Sequence, residues 1–183
     1  SLEFCEANLE AAYKTNFLGT KNIAHICKTA DIPLVYISTA GVFDGNKEDA
    51  YVEDDIPNPI NVYGKSKLYG ELVVEAMLKK YFIVRAGWMV GGGKKDKKFI
   101  SYMLKQVKEG KRTFKVVDDK FGTITYTRDF AKNLEKLFNT QKYGLYHMAC
   151  KGGTNRIDIM NHILTCLKIT NGKIEAVGSA FFQ

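Results

Sequence analysis

Apolar and polar residues follow two alternating periods along this chain, and their order predicts the fold class. From Leu9 to Cys27, the residues Leu9, Tyr13, Phe17, Ala24 and Cys27, with Thr20 between, recur at spacings of three and four. That is the period of a helix turning one face to a core. Pro33 then introduces Leu34-Val35-Tyr36-Ile37, a continuous run of β-branched and aromatic residues that suits a strand covered on both faces. Helical periodicity resumes near Asn61 with Leu68, Leu72, Val73, Ala76 and Met77, and gives way to a second apolar run, Tyr81-Phe82-Ile83-Val84.

Between these two helix-then-strand units, residues 39–62 hold Gly41, Gly45, Asn46, Pro57, Asn58 and Pro59, with five acids between Glu48 and Asp55. A loop of this length inside a compact domain is usually functional, and its acids read more simply as a solvated surface than as a carboxylate pair. After Gly91-Gly92-Gly93 the pattern predicts helices near 97–109, 128–139 and 155–168, and short strands at 114–117, 145–148 and 173–177. Alternation of helices and strands throughout predicts an α/β protein. There is no internal repeat and no low-complexity linker.

The chain has 183 residues, 45% hydrophobic and 26% charged, which excludes disorder and a fibrous repeat. No run approaches the roughly 18 to 20 apolar residues that cross a bilayer, and no basic-then-apolar leader opens the chain. A cytoplasmic protein without a membrane partner is expected. The net charge of +7 suits a phosphorylated small molecule as well as a nucleic acid. The basic residues are spread over most helices, however, and the one dense run, Lys94-Lys95-Asp96-Lys97-Lys98, has no interleaved aromatics, so no nucleic-acid partner is expected. Cys5, Cys27, Cys150 and Cys166 form no CxxC pair, and no histidine lies at ligand spacing from them. Buried reduced thiols, rather than a zinc site or disulfides, are the expectation.

The sharpest chemical feature is Tyr63-Gly64-Lys65-Ser66-Lys67. A tyrosine and a lysine four apart at a helix start share one face, and an ammonium beside a phenol is expected to draw its pKa down toward neutrality. Upstream, the first strand ends in Ser38-Thr39, and parallel α/β sheets bind ligands at the carboxyl ends of their strands. Two hydroxyls and the Tyr63–Lys67 pair are therefore expected to converge. A phosphate-binding Walker loop fails because Pro59 stands where its first glycine is needed. No G-x-S-x-G elbow is present either.

The motifs Tyr36-Ile37-Ser38-Thr39-Ala40-Gly41-Val42-Phe43-Asp44-Gly45, Asn58-Pro59-Ile60-Asn61-Val62-Tyr63-Gly64-Lys65-Ser66-Lys67-Leu68-Tyr69-Gly70-Glu71 and Ile83-Val84-Arg85-Ala86-Gly87-Trp88 occur in that order. So do the segments Val117 to Asp129 and Tyr143 to His147. Together they resemble the dTDP-4-dehydrorhamnose reductases, a nucleotide-sugar branch of the extended short-chain dehydrogenase/reductases. The resemblance implies the C-terminal part of a Rossmann-like doubly wound parallel sheet over residues 1–86. A smaller, mainly substrate-binding α/β portion would cover 87–183, with strands returning to the main sheet.

The implied reaction is hydride transfer from the C4 of NADPH or NADH to a dTDP-linked 4-keto sugar. Carried over by position, Tyr63 would donate the proton to the carbonyl oxygen, Thr39 would hydrogen-bond that oxygen, and Lys67 would hold the nicotinamide ribose. Ser38 would help bind the cofactor, while Phe43, Asn61 and Trp88 would line the sugar-nucleotide pocket. Mg2+ and a homodimer are further implications of the family.

Ala40 and Gly41 stand where the family has Asp and Tyr, which leaves room for a different sugar nucleotide. Ile124 replaces a proline, and Ala86-Gly87 a Thr-Ser pair. The family's glycine-rich pyrophosphate turn is absent from these residues, so the chain is expected to be a fragment, inactive and weakly stable alone. An NAD-dependent epimerase or dehydratase, to which Asn16 to Asn22 is also similar, and a non-catalytic binding member of the fold are the alternatives.

Overall fold

The computed structural model describes residues 2–93, 96 and 98–182, so Lys94, Lys95 and Lys97 of the basic run lie outside the described residues. The chain divides into two compact units, one made of residues 1–86 and 132–148 and the other of 87–131 and 149–183. The chain thus leaves the first unit after Ala86 and returns to it at Lys132.

In the first unit, α1 (Leu2–Ala7) precedes the helix that the apolar spacing predicts from Leu9 to Cys27, which runs on continuously as α2 (Leu9–Tyr13), a π-helical turn at Lys14–Leu18 and α3 (Gly19–Ala30). The π turn is invisible to a period of 3.6 because it shifts the helix phase by one residue without interrupting it. Then come β1 (Leu34–Thr39), a 3-10 turn at Ala40–Val42, α4 (Val62–Met77) and β2 (Tyr81–Ala86). A parallel sheet forms in the order β1-β2-β7, with β7 at Gly144–Met148. Its register pairs Leu34 with Tyr81 through Thr39 with Ala86, and Phe82 with Gly144 through Ala86 with Met148.

One face of this sheet packs on α3 and α4 through Ala24, Cys27, Tyr36, Val74, Leu78 and Ile83. On the other face Phe82 meets Phe138, Tyr143 and Tyr146. β2 is buried along both faces, as its unbroken apolar run predicts. β1 is not: Tyr36 and Ser38 are buried, but Ile37 is 37% exposed, and the strand has β2 as its one partner among the described residues. The expectation of a strand covered on both faces is corrected here. The helices α3 and α4 cover the Tyr36 face, and among the described residues Ile37 on the opposite face is left more than a third exposed.

The second unit contains β3 (Trp88–Val90), α5 (Phe99–Lys108), β4 (Thr113–Val117), β5 (Phe121–Gly122) and β6 (Ile124–Tyr126). It also holds the first turn of α6 (Thr127–Asn139), β8 (Thr154–Asn155), α7 (Arg156–Cys166) and β9 (Lys173–Val177). Parallel pairs join β3 to β6 and β4 to β9, and an antiparallel pair joins β5 to β8. Its core sets Met103 and Val107 of α5 and Phe114 and Val116 of β4 against Ile159, Met160, Ile163 and Leu164 of α7. All four cysteines are free, but Cys150 and Cys166 are exposed, so only Cys5 and Cys27 fit the expectation of buried thiols. Among the described residues, no helix is long and apolar enough to cross a membrane.

Candidate active site

The carboxyl end of β1 and the first turn of α4 meet through glycine. A Cβ on Gly64 would lie 2.1 Å from the Gly41 carbonyl oxygen and 2.9 Å from the Pro59 Cβ. Any larger residue would therefore push the helix off the turn that follows Thr39. Asn61 caps α4, its side-chain oxygen accepting from the Gly64 N–H at 2.7 Å. That role occupies the oxygen of a residue expected to line a sugar pocket.

Thr39 and Tyr63 are brought together. The Thr39 side chain hydrogen-bonds the Tyr63 phenol, and its Oγ1 also accepts from the Gly41 N–H at 3.0 Å. Burial nonetheless dominates, and it raises the Tyr63 pKa above its ordinary value. This corrects the expectation that Lys67 draws the phenol down. The Lys67 Nζ sits over the ring of Tyr36, 4.0 Å from its centroid. Burial also lowers the Lys67 pKa to about 8, against the opposing pull of the Glu71 charge.

Because the folded pKa lies below the unfolded 10.5, the unfolded chain binds more protons between about pH 8 and 10.5, and stability rises with pH across that window. Lys67→Met is accordingly expected to be more stable than the wild type at pH 7, with the advantage fading by pH 10.5. Parallel urea unfolding at the two pH values checks this, and an advantage that grows with pH would contradict it.

Ser38 does not join this group. Its hydroxyl donates to Glu71 Oε1, and Glu71 forms a buried ion pair with Arg85. Arg85 Nε lies 3.0 and 3.2 Å from the two carboxylate oxygens and Nη2 lies 2.6 Å from Oε2. Arg85 Nη1 lies 3.3 Å from His147 Nε2, and His147 Nδ1 lies 3.1 Å from the Tyr51 carbonyl oxygen. Since guanidinium only donates, Nε2 is the acceptor and the imidazole carries its proton on Nδ1. Glu53 accepts from the His147 backbone N–H at 2.7 Å. The loop after Thr39 is thus tied to β7.

Phe43 belongs to the same packing. It is 8% exposed, stacks on Tyr51 with centroids 4.2 Å apart, and has the Arg85 guanidinium 5.1 Å from its ring. The loop acids are structural: Asp44 accepts from the Asn46 backbone N–H and from Tyr51 and Asn58, which together hold its carboxyl at about pKa 2, and Asp55 pairs with Lys47.

Trp88 belongs to the second unit. There its ring packs on Gly122, where a Cβ would lie 2.6 Å away, and Arg156 stands 5.9 Å from the ring centroid. Among the described residues, no group of three or more His, Cys, Asp or Glu is placed to hold a metal ion, so the Mg2+ implied by resemblance has no such cluster.

Tyr36, Glu71 and Arg85 are members of the site region that sequence reasoning gave no role. Arg85 carried a usable signal, because a charge inside a wholly buried strand needs a buried partner.

A parallel sheet flanked by helices, with Thr39 at a strand end bonded to Tyr63 and Lys67 one turn further on, defines the first unit as a Rossmann-like α/β unit. The chain belongs to the RmlD substrate binding domain family, whose model matches residues 2–183. It is 37% identical over 152 residues to the spore coat polysaccharide biosynthesis protein SpsK of Bacillus subtilis, covering 83% of this chain and 52% of that protein. The dTDP-4-dehydrorhamnose reductase of Yersinia enterocolitica superimposes with a TM-score of 0.94 at 36% identity, covering 100% of this chain and 64% of that one. The Bacillus anthracis reductase solved in complex with NADP gives 0.91 at 34%, covering 97% and 62%. The chain therefore spans about half to under two thirds of the length of these relatives.

Proposed function

We propose that the protein is an NAD(P)H-dependent reductase of a nucleotide-linked 4-keto sugar of the dTDP-4-dehydrorhamnose type, to which this chain contributes the proton donor. The observation that carries the reading is the Thr39–Tyr63 hydrogen bond at the carboxyl end of β1, in a chain of this family. When bound, the reduced nicotinamide supplies a hydride from its C4. The residues fit that group. Lys67 offers an ammonium held by no oxygen among the described residues, which suits ribose hydroxyls.

Tyr63 remains a protonated phenol at neutral pH because burial raises its pKa, so it is poised to give a proton to the sugar carbonyl oxygen. Thr39 accepts from the Gly41 N–H through one lone pair, and its single O–H, turned toward Tyr63 in the free chain, would be offered to that oxygen when the sugar binds. Within the second unit, Trp88 is the candidate contact for the sugar nucleotide. Ser38, committed to Glu71, supports the site from beneath.

The test is spectrophotometric, with the intact protein, NADPH or NADH, and a dTDP-4-keto-6-deoxy sugar. Net loss of reduced-nicotinamide absorbance, one equivalent per sugar reduced, is expected. Conversion of sugar without net loss would replace the reductase by an epimerase or dehydratase that recycles its cofactor.

A further inference from the structure

Lys67 is the cation assigned above to the cofactor ribose, and its surroundings are not those of an ordinary helix lysine. Glu71, the carboxylate one turn on, is already taken by Arg85 and Ser38. Tyr63, one turn back, is bonded to Thr39. What remains against the ammonium is the face of Tyr36, 4.0 Å from Nζ to ring centroid.

That ring is fixed from several sides. Tyr36 is 8% exposed. Its hydroxyl donates to the Lys67 carbonyl oxygen at 3.1 Å and lies 3.5 Å from the carbonyl oxygen of Asn16 in the π turn. A Cβ on Gly70 would come 2.2 Å from the same hydroxyl, so only glycine there lets the ring lie flush against α4.

A carboxylate in this place would hold the lysine by accepting its N–H groups. An aromatic face attracts the charge through its quadrupole and directs no lone pair at any one donor. The three N–H groups of the ammonium then stay available to a ligand. We infer that Tyr36 is a positioning residue whose ring face holds the Lys67 ammonium in place while leaving its N–H groups for the hydroxyls of a nicotinamide ribose. The ribose in this statement rests on the proposed function; the ring's hold on Lys67 does not.

Two substitutions separate the ring from its hydroxyl. Tyr36→Phe keeps the face and loses the hydroxyl bonds, whereas Tyr36→Leu keeps apolar bulk and loses the face. Lysine side-chain titration by 13C NMR on the intact protein, with Lys67→Met identifying the resonance, reads the ring's hold directly. Tyr36→Leu is expected to lower the Lys67 midpoint by about one pH unit, because the ammonium loses its partner. Tyr36→Phe should stay within a few tenths of the wild type. In the intact protein, Tyr36→Leu should raise the KM for the reduced nicotinamide about tenfold with a smaller change in kcat, and Tyr36→Phe should raise that KM by a clearly smaller factor than Tyr36→Leu.

An unchanged midpoint in Tyr36→Leu overturns the inference, and so does a Tyr36→Phe midpoint that moves as far as that of Tyr36→Leu. A shifted midpoint in a protein that consumes no nicotinamide overturns the proposed function and leaves the ring's hold on Lys67 standing. If Tyr36→Leu does not fold, pentafluorophenylalanine at position 36 keeps the shape and inverts the quadrupole. The midpoint must then fall, and constancy overturns the inference.

Discussion

Replacing Arg85 by methionine is expected to cost about 3–5 kcal/mol of folding stability. The reason is the carboxylate left behind. In the Glu71–Arg85 pair the side chains are 2% and 4% exposed, and without the guanidinium only Ser38 would donate to Glu71. At that burial little water is left to solvate the charge, so most of its solvation is lost without recompense. The double variant Arg85→Met/Glu71→Leu should recover most of the loss, since an apolar pair of similar volume has no charge to solvate. Urea unfolding of the two single variants and the double variant measures the coupling. A loss below about 1 kcal/mol for Arg85→Met would show that the pair does not hold the sheet to α4.

The same substitution should loosen the loop after Thr39. Arg85 Nη1 is the donor to His147 Nε2, and His147 reaches the loop through the Tyr51 carbonyl oxygen while Glu53 accepts from its backbone N–H. One buried cation thus links α4, β2, β7 and a segment that lacks regular secondary structure. The loop's order comes from such bonds and from the bonds of Asp44 to Tyr51 and Asn58.

The elements that could be read from the sequence are those with many repeats of one period. The runs at Leu34 and Tyr81 gave β1 and β2, and the spacing from Leu68 to Met77 gave the body of α4. The two- and three-residue strands β3, β5, β6 and β8 could not be read, because a period of two needs more than two residues to show itself. At the site, Tyr63 and Thr39 were legible because both the spacing and the strand end pointed to them. Lys67 was legible as a residue but not in its partner. Spacing on one helix places it beside Tyr63, whereas the contact that forms is with Tyr36 on another element, and no local pattern encodes a cross-element contact. Ser38 shows the same limit. Its neighbour Thr39 turns to Tyr63, while its own hydroxyl goes to Glu71, 33 residues away.

Substituting Tyr63 by phenylalanine is expected to lower kcat of the intact protein by about a hundred- to ten-thousand-fold. Binding of cofactor and sugar should change by no more than about threefold, because the ring and its packing remain and only the transferable proton is lost. The pH profile carries a second, independent mark of the same geometry. Tyr63 is raised above its ordinary value of 10.0 by burial, so the acid stays loaded throughout the neutral range and produces no fall in rate there. Lys67, lowered to about 8, is the group that titrates first on the alkaline side. The ratio kcat/KM for the nicotinamide should therefore decline above about pH 8, through KM, while kcat holds until higher pH. An active Tyr63→Phe protein with unchanged kcat would remove Tyr63 as the acid. An alkaline decline carried by kcat, with KM constant, would mean that the loss of a proton from the reacting phenol, and not from the ribose-binding ammonium, limits the enzyme.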